Sequence, residues 1–548
     1  MNRGPYVIGV DFGTDSARAL VIDGLSGKVS GQAQHLYKRW SEGKYQNPDI
    51  SMYRQHPLDY VEAFEAAVCK ALDEAGADVR RHVACISIDT TGSTPCPVNR
   101  EGVPLALLDE FSENENAMFH LWKDHTAIAE AIEINEAFSD YNGIDYTRYQ
   151  GTYSSEWYWA KILHTSRVDS GVKAAAYSWV EHCDWLTGLL AGKTEPSTMY
   201  RCSCAAGHKA LWHSAWGGLP AVGCLNGIDP YLGEVALSYG RNVQPSDRPV
   251  GKITREWAER LGVPEDTLIG GTSFDAHAGA VGAGVGKNIL VTNVGTSTVD
   301  MMVEKAAALE GKNLKYACGQ AENSIIPGYV GIEAGQAAFG DIFAWFRKLL
   351  MWPVKSMGLV SESTVQDIEE NLLAAISEEA EMVDVGSAIT ALDWFNGRRY
   401  PSTNEMVKGA FSELTLGTSA PQLYQALVHA AVFGLKRIVE AFRNEGLQID
   451  EVIAVGGIAQ KSPYIMQTMA DVIGCRVNVS AATQACARGA AIYAAVSCGL
   501  YDTIEAAQKQ LCEDYIRSYT PDPEKGEAYL KLYERYCALG GFVEESTK

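Results

Sequence analysis

Two polar turns in this sequence combine the residue types that hold phosphate groups. The first lies in residues 7–21, VIGVDFGTDSARALV, where Asp-Phe-Gly-Thr-Asp-Ser separates two apolar runs. This pattern predicts a β-hairpin. In its turn, Gly13 lets the backbone approach a ligand closely, Thr14 offers a hydroxyl and a backbone N–H, and Arg18 adds a fork suited to phosphate. A phosphate-binding hairpin and an ordinary surface hairpin both fit this segment alone.

Asp11 stands where the first apolar run ends, and the same arrangement recurs far downstream. Mg²⁺ prefers few carboxylates and several waters, so Asp11 is predicted to anchor a hydrated Mg²⁺ ion. Residues 288–302, NILVTNVGTSTVDMM, repeat the apolar run, the turn and the second apolar run. Gly295 and Thr296 match the glycine and threonine of the first turn, and Asn293 takes the place of Asp11. Two such hairpins predict two related domains, each placing a phosphate-binding turn in a shared cleft.

A single carboxylate, Asp275, follows a diglycine in residues 270–279, GGTSFDAHAG. The small residues around it permit close helix packing, but packing does not require the carboxylate. A general base must reach a substrate hydroxyl, and a junction between closing domains would bring it there. His277 is the alternative base. The nearby GAGVGK at 282–287 is one residue short of a Walker A motif and precedes a predicted strand, so we do not predict a phosphate loop there.

Parts of the first half combine aromatic rings with polar groups, as sugar sites do. Trp122 lies in one such segment, and the neighbouring His120 and His125 are five residues apart, which does not fit a helical zinc pair. Lys209 lies among apolar residues in AGHKALW, where an ammonium group needs a partner. A sugar contact and a surface lysine are the two interpretations of Lys209.

Glycines near the ends of predicted strands mark three further candidate contacts. The strand at 82–89 runs into TTGSTP with Gly92, and ligands in α/β sheets bind beyond such strand ends; a plain turn is the alternative. Residues 331–345 place Glu333 and Gly335 at a predicted helix start, which suits a nucleotide or a close helix crossing. A strand at 451–457 ends in a diglycine, against which a base or ribose could lie. The diglycine is Gly456 and Gly457, and Lys461 lies in the segment that follows; these three residues are candidate ligand contacts.

Periodic apolar residues predict the elements that position these groups. Residues 36–53 are expected to be irregular or to form short strands. The predicted helices span 57–75, 361–380, 421–444, 487–497 and 509 to the end, with a strand at 477–479.

Composition limits the function. The 548 residues carry 46 basic and 68 acidic side chains, a net charge of −22, which argues against nucleic acid or an anionic membrane as a partner. No apolar run approaches the length of a membrane span, and the first residues lack a signal peptide's apolar segment. The 13 cysteines are scattered and without CxxC pairs, which predicts a reducing cytoplasm. A chain of this length is expected to form two large domains.

The two hairpins resemble those of the actin-like ATPase fold, and longer motifs extend this likeness over essentially the whole chain. DFGTDSARAL, GTS, FDAHAG and VGGIAQKSP resemble segments of the FGGY family of carbohydrate kinases. Within that family, DTTGSTP, NAMFHLWKDHTA, YSSEWYWAKILH, AGHKALWH, GIEAGQAAFGDIFAWF and LDWFNGRR resemble the kinases of the ketopentose L-ribulose.

The resemblance implies an α/β protein with two actin-like, ribonuclease-H-like domains and a nucleotide and sugar cleft between them. Residues 1–270 would carry the sugar site and the first phosphate loop. Residues 271–548 would carry the catalytic carboxylate, the second phosphate loop and the adenosine motif. The implied reaction transfers the γ-phosphate of MgATP to the 5-hydroxyl of L-ribulose, giving L-ribulose 5-phosphate for L-arabinose catabolism. A homodimer is a possible assembly.

The family's roles carry over to residues that match its motifs. Asp275 would be the base and Asp11 would organise Mg²⁺. The other implied contacts are to phosphates (Thr14, Arg18, Gly295, Thr296), to the nucleotide (Gly335, Gly456, Gly457, Lys461) and to the sugar (Gly92, Trp122, Lys209, Glu333).

Three alternatives stay open at this point. D-ribulose or another ketopentose or polyol could be the acceptor. The chain could be an actin-fold ATPase in which the nucleotide drives a conformational change, although Asp275 and the aromatic first half favour a small acceptor. A catalytically idle sugar sensor is the third, and the presence of Asp275 argues against it.

Overall fold

The computed structural model describes residues 5–358 and 360–547. Within them, two seven-stranded sheets form the framework. The first sheet contains, in spatial order, Gly251–Lys252, Leu268–Ile269, Val83–Thr90, Tyr6–Phe12, Ser16–Asp23 and Val29–Leu36, with Ser273–Phe274 also on Val83–Thr90. The second contains Gly319–Glu322, Val330–Ala334, Thr298–Glu304, Ile289–Val294, Glu451–Val455, Arg476–Ser480 and Tyr515–Tyr519.

Each sheet is built around one of the two predicted hairpins, and both hairpins are confirmed. Tyr6–Phe12 pairs antiparallel with Ser16–Asp23 and parallel with Val83–Thr90. In the second sheet Ile289–Val294 likewise has an antiparallel hairpin partner and a parallel neighbour, Glu451–Val455. The two halves therefore repeat one topology, as the duplicated turn predicts.

Two helices lie between the sheets. Asp275–Ala283 and Ala485–Ser497 pack on each other, and the second also packs on the first sheet. Their backbones approach so closely that a Cβ at Gly489 would overlap the carbonyl oxygen of Ala278. Their apolar side chains share one buried cluster with strands from both sheets. We call these two the central helices, because they join the two halves of the molecule.

The remaining elements cover the outer faces. Pro57–Ala75 begins as predicted, with proline in its first turn and the His56 side chain accepting from the backbone N–H of Leu58. The other helices of at least eight residues are Ile128–Ser139, Tyr158–Val168, His182–Ala191, Pro230–Ser238, Gly340–Ser356, Glu362–Glu381, Ala420–Asn444, Pro463–Ile473, Ile504–Leu511 and Pro523–Ser546. Shorter strands are Gln46–Asn47, Met52–Gln55, Pro95–Val98, Phe119–His120, Ser178–Glu181, Arg201–Cys202, Val243–Gln244, Thr390–Ala391 and Phe411–Ser412.

Two predicted elements were wrong. Glu333 lies on the strand Val330–Ala334 rather than at a helix start, and the next helix begins only at Gly340. The region after residue 509 is not continuously helical, because Tyr515–Tyr519 forms an edge strand against Arg476–Ser480. Among the described residues, no helix is both long and apolar enough to cross a lipid bilayer.

Candidate active site

The sheet topology brings three aspartates together. Asp11 stands in register with Asp89 on the neighbouring parallel strand. Ser273 is also in register with Asp89, and Asp275 follows two residues later, at the first position of a central helix. Since the carboxyl ends of parallel strands share one edge of a sheet, these three carboxylates converge where ligands of α/β proteins bind.

The three carboxylates repel one another, and only part of this repulsion is balanced. Arg18 Nη1 lies 3.0 Å from Asp11 Oδ2, yet burial raises the pKa of Asp11. Burial and the negative charges of Asp11 and Asp275 raise the pKa of Asp89 well above its usual value. Burial, followed by the charge of Asp11, raises the pKa of Asp275 to about 7. The cluster is therefore short of positive charge.

The sequence interpretation missed Asp89. Its carboxylate is fully buried and interacts with the carboxylate of Asp11. One oxygen of Asp89, one of Asp11 and the sulfur of Cys486 lie within 4.8 Å of one another. Two carboxylates suit a hard divalent cation that keeps several waters, so the residues present fit Mg²⁺. The available signal was an acidic residue at the end of an otherwise apolar strand.

A buried lysine and a half-buried glutamate form an ion pair beside Asp275. Lys209 is buried, which excludes the surface-lysine alternative, and its Nζ lies 3.7 Å from Glu333 Oε1. The ammonium also lies 5.0 Å from the ring centre of Trp157 and 5.8 Å from that of Phe274. Burial is the largest single effect on the pKa of Glu333 and would raise it, but the charges of Lys209, the nearby histidines and Arg399 together outweigh burial and lower that pKa to about 2. The Glu333 carboxylate is thus ionised beside Asp275.

Trp122 contacts the first predicted phosphate turn, and Gly92 packs against Phe274. Trp122 Nε1 donates a 3.1 Å hydrogen bond to Thr14 Oγ1, which joins the predicted sugar wall to the first phosphate turn. A Cβ at Gly92 would overlap the ring of Phe274, so packing alone already requires glycine there. The contact between Gly92 and a sugar stays a prediction.

Two further buried charged residues, Lys161 and Glu181, were also missed from the sequence. Lys161 Nζ donates to the carbonyl oxygens of Ser93 at 2.8 Å and Leu121 at 2.9 Å. Glu181 accepts from the Thr94 backbone N–H at 2.7 Å and from the Ser93 hydroxyl. The pair fixes the loop that contains Gly92 and the chain that leads into the tryptophan. Nothing in the local pattern distinguished this lysine from a surface residue of its helix.

The predicted nucleotide residues gather around the second hairpin. The carbonyl of Gly295 accepts from the Gly340 N–H at 3.0 Å, and that of Thr296 accepts from the Asp341 N–H at 3.1 Å. Gly456 has φ +107°, and a Cβ there would lie 2.6 Å from the Val294 carbonyl oxygen. The second turn, the start of the next helix and the diglycine therefore form one surface.

The last three predicted residues border this surface. A Cβ at Gly335 would overlap the Thr298 carbonyl oxygen, so the chain is tightly packed there. Gly457 is different, because within the described residues nothing lies within 4 Å of a Cβ built on it. Lys461 is exposed at the end of the short helix Gly457–Lys461. Strand Val330–Ala334 carries Glu333 in the acidic cleft and leads directly into Gly335.

Comparison with known proteins agrees with this geometry. Residues 290–498 match the model of the C-terminal domain of the FGGY family of carbohydrate kinases. A protein of Vibrio parahaemolyticus named ribulokinase is 43% identical over 545 residues, covering 98% of this chain and 96% of that protein. The chain belongs to the FGGY family of carbohydrate kinases. It is therefore an ATP-dependent sugar kinase, as the sequence motifs predict.

Further relatives extend the likeness. A ribulokinase of Halalkalibacterium halodurans is 35% identical, covering 97% of this FGGY kinase and 94% of the relative. The xylulose kinase structure from Rhodospirillum rubrum superimposes with a TM-score of 0.80 at 20% identity, covering 99% of both chains. The structure of Plasmodium falciparum glycerol kinase with ADP superimposes with a TM-score of 0.75 at 15% sequence identity, covering 97% of both chains. At these identities the structures show the shared fold, which confirms the predicted two-domain actin-like architecture.

Proposed function

We propose that this FGGY kinase transfers the γ-phosphate of MgATP to the 5-hydroxyl of L-ribulose, giving L-ribulose 5-phosphate for L-arabinose catabolism. Nearly full-length similarity to relatives named ribulokinase carries this proposal. The cleft supports it chemically, because a carboxylate with a raised pKa faces a charged pair able to bind sugar hydroxyls.

Asp275 is proposed to accept the proton of the attacking hydroxyl. A general base works best when its pKa lies near the working pH, and burial together with Asp11 raises the pKa of Asp275 to about 7. Phosphoryl transfer leaves little covalent chemistry to the protein, so positioning and charge stabilisation account for most of the rate. The alternative base, His277, is buried and faces Glu333 with Nε2 at 3.3 Å. This geometry favours Asp275.

Lys209 and Glu333 are proposed to fix the sugar's orientation. An ammonium donates and a carboxylate accepts, so together they can bind several hydroxyls with defined direction. Trp122 supplies an apolar face, and its bond to Thr14 sets the distance between the sugar wall and the phosphates. Gly92 would complete this wall. Closure of the cleft would exclude water, which otherwise competes as phosphate acceptor.

The nucleotide is proposed to lie between the two turns. Thr14, Arg18, Gly295 and Thr296 would bind its phosphates, and Gly335, Gly456, Gly457 and Lys461 would surround the nucleoside. Asp11 and Asp89 would hold Mg²⁺, whose positive charge would stabilise the negative charge of the transferring phosphoryl group.

The first test is ADP release with MgATP against L-ribulose, D-ribulose, L-xylulose, D-xylulose and glycerol. We expect a strong preference for L-ribulose. A higher kcat/KM with D-ribulose or another acceptor would overturn the assignment of L-ribulose as the substrate, but the protein would remain a sugar kinase. ADP release at the same rate without any sugar would instead favour a conformational ATPase.

Location and assembly belong to the same proposal. We propose a cytoplasmic enzyme, because the 13 cysteines are scattered along the chain without CxxC pairs, as in proteins of a reducing compartment. A homodimer stays a prediction, and sedimentation velocity of the purified chain tests it.

A further inference from the structure

Three buried side chains of types that can bind metal ions lie close to the Lys209–Glu333 ion pair. One ligand atom each from Cys204, His208 and His277 lies within 4.8 Å of the other two, and all three residues are buried. Cys204 and His208 are one helical turn apart in Ser203–His208, and His277 comes from a central helix. In tetrahedral zinc coordination, bond lengths of 2.0–2.3 Å place ligand atoms about 3.5 Å apart, so a small side-chain movement would complete the geometry.

His277 lies between Glu333 and Cys204. Its Nε2 is 3.3 Å from Glu333 Oε2, and its ring also interacts with the Cys204 thiol. Histidines that bind metals usually donate their second N–H to a carboxylate, which fixes the ring and its tautomer. A carboxylate, Glu333, already lies beside the His277 ring, and a cation would replace the present interaction between His277 and Cys204.

His208 contacts one polar side chain at each ring nitrogen. Its Nδ1 lies 3.2 Å from Gln150 Oε1, an oxygen that can only accept, and its Nε2 lies 3.2 Å from Ser324 Oγ. The Ser324 hydroxyl donates its single hydrogen to the Ala321 carbonyl oxygen at 3.0 Å. A neutral imidazole carries one N–H and one lone pair, so with Nδ1 donating to Gln150 the Nε2 lone pair faces the Ser324 hydroxyl. A cation would take the place of that hydroxyl contact.

We propose that Cys204, His208 and His277 bind a thiophilic divalent cation of the zinc class. One thiolate and two imidazoles suit Zn²⁺, whereas Mg²⁺ prefers oxygen ligands. On binding, the Cys204 S–H gives its proton to solvent, the sulfur donates a lone pair to the cation, and no oxidant or reductant is needed. Glu333 or a water would take the fourth position.

The proposed site also has a consequence for sugar binding, and this part rests on the proposed function. Glu333 lies between Lys209 and His277, at 3.7 Å and 3.3 Å respectively. A cation held by one thiolate leaves one net positive charge beside Glu333, which would draw its carboxylate away from Lys209. Zn²⁺ would therefore raise the KM for the sugar and leave the KM for ATP nearly unchanged.

Metal binding to the full-length, chelator-treated protein tests the site without using activity. With Co²⁺ as probe and no nucleotide present, we expect one tightly bound equivalent with a thiolate-to-cobalt absorption band and tetrahedral d–d bands. Cys204→Ser should lose this equivalent. Cys224→Ser is the matched control, since Cys224 is also a buried free thiol but donates to the Ala137 carbonyl oxygen.

The outcomes separate this inference from the proposed substrate. Wild-type protein without the thiolate band would overturn the site even if the Cys204 variant failed to fold. An equal spectrum in wild type and Cys204→Ser would also overturn it, by assigning binding to other cysteines. Failure of L-ribulose as substrate leaves the cobalt result standing, because that measurement contains no sugar.

Discussion

Three converging carboxylates at one sheet edge determine how the residue Asp275 can act. Asp275→Asn removes the proton acceptor but keeps the shape of the side chain. Since a positioned base contributes roughly 10²–10⁴-fold, we expect kcat to fall at least ~10²-fold while sugar and nucleotide still bind. Calorimetric titration measures binding, and coupled ADP release measures kcat. Turnover near that of wild type would transfer the role to His277.

The raised pKa of Asp275 gives a second, independent prediction about this residue. The base must be ionised to accept a proton, so kcat/KM should rise with pH and level off above a midpoint near the pKa of about 7. The residual kcat/KM of Asp275→Asn should not show this rise with pH.

Stability should change in the opposite direction. The pKa of Asp275 is about 7 in the folded protein and near 4 in the unfolded chain, so the folded protein loses stability as the pH rises between these values. Asp275→Asn should therefore unfold at a higher urea concentration than wild type at pH 8, and at nearly the same concentration at pH 4. Equal midpoints at both pH values would refute the raised pKa.

Two lysines, one buried and one exposed, separate the proposed sugar contacts from the proposed nucleotide contacts. Lys209→Ala removes the partner of Glu333, so we expect a roughly tenfold or larger rise in the sugar KM, since a charged hydrogen bond contributes about 1.5–3 kcal/mol. The exposed Lys461→Ala is the matched control and should raise the KM for ATP instead. Initial-rate kinetics with each substrate varied in turn will measure both, and the reverse pattern would exchange the two assignments.

At the scale of elements, the diglycine after strand Glu451–Val455 distinguishes a packing role from a ligand role. A Cβ at Gly456 would meet the Val294 carbonyl oxygen, so Gly456→Ala should lower Tm as well as impair ATP binding. Gly457 has open space, so Gly457→Ala should leave Tm unchanged and still raise the KM for ATP if the nucleotide lies there. Thermal unfolding measures Tm, and initial rates at varied ATP concentration measure the KM for ATP. An unchanged KM for ATP in Gly457→Ala would show that Gly457 does not contact the nucleotide.

The same elements show how far the sequence predicts this molecule. Both hairpins follow from local patterns, because an apolar run, a glycine-containing turn and a second apolar run have few other solutions. The prediction that Glu333 lies at a helix start was wrong, because a glycine-rich stretch that follows a strand also resembles a helix start. Asp89 and the Lys161–Glu181 pair were missed because their importance arises from neighbours distant in sequence, which only the register of the folded sheets and helices brings together.

At the scale of the whole molecule, the two halves communicate through the central helices, and Asp275 begins one of them. Glycines allow these helices to touch: Cβ atoms at Gly489 and Gly282 would overlap the carbonyl oxygens of Ala278 and Ala485. Because the obstacles are backbone atoms, a side chain cannot rotate away to make room. The spacing of the two helices therefore controls the spacing of the two sheets and the position of the base between them.

Gly489→Ala should separate the central helices, with an expected loss of about 1–3 kcal/mol in the free energy of unfolding, the usual scale for overpacking. Asp275 lies on the displaced helix, so kcat should fall as well, while the sugar and ATP KM change less. Gly541→Ala is the matched control, because it lies in helix Pro523–Ser546 with nothing in the described chain within 4 Å of the new Cβ. There, the better helix propensity of alanine should stabilise the protein slightly. Urea unfolding and initial rates measure both variants; if Gly489→Ala kept wild-type stability and turnover, the close contact of the central helices would not be what positions the base.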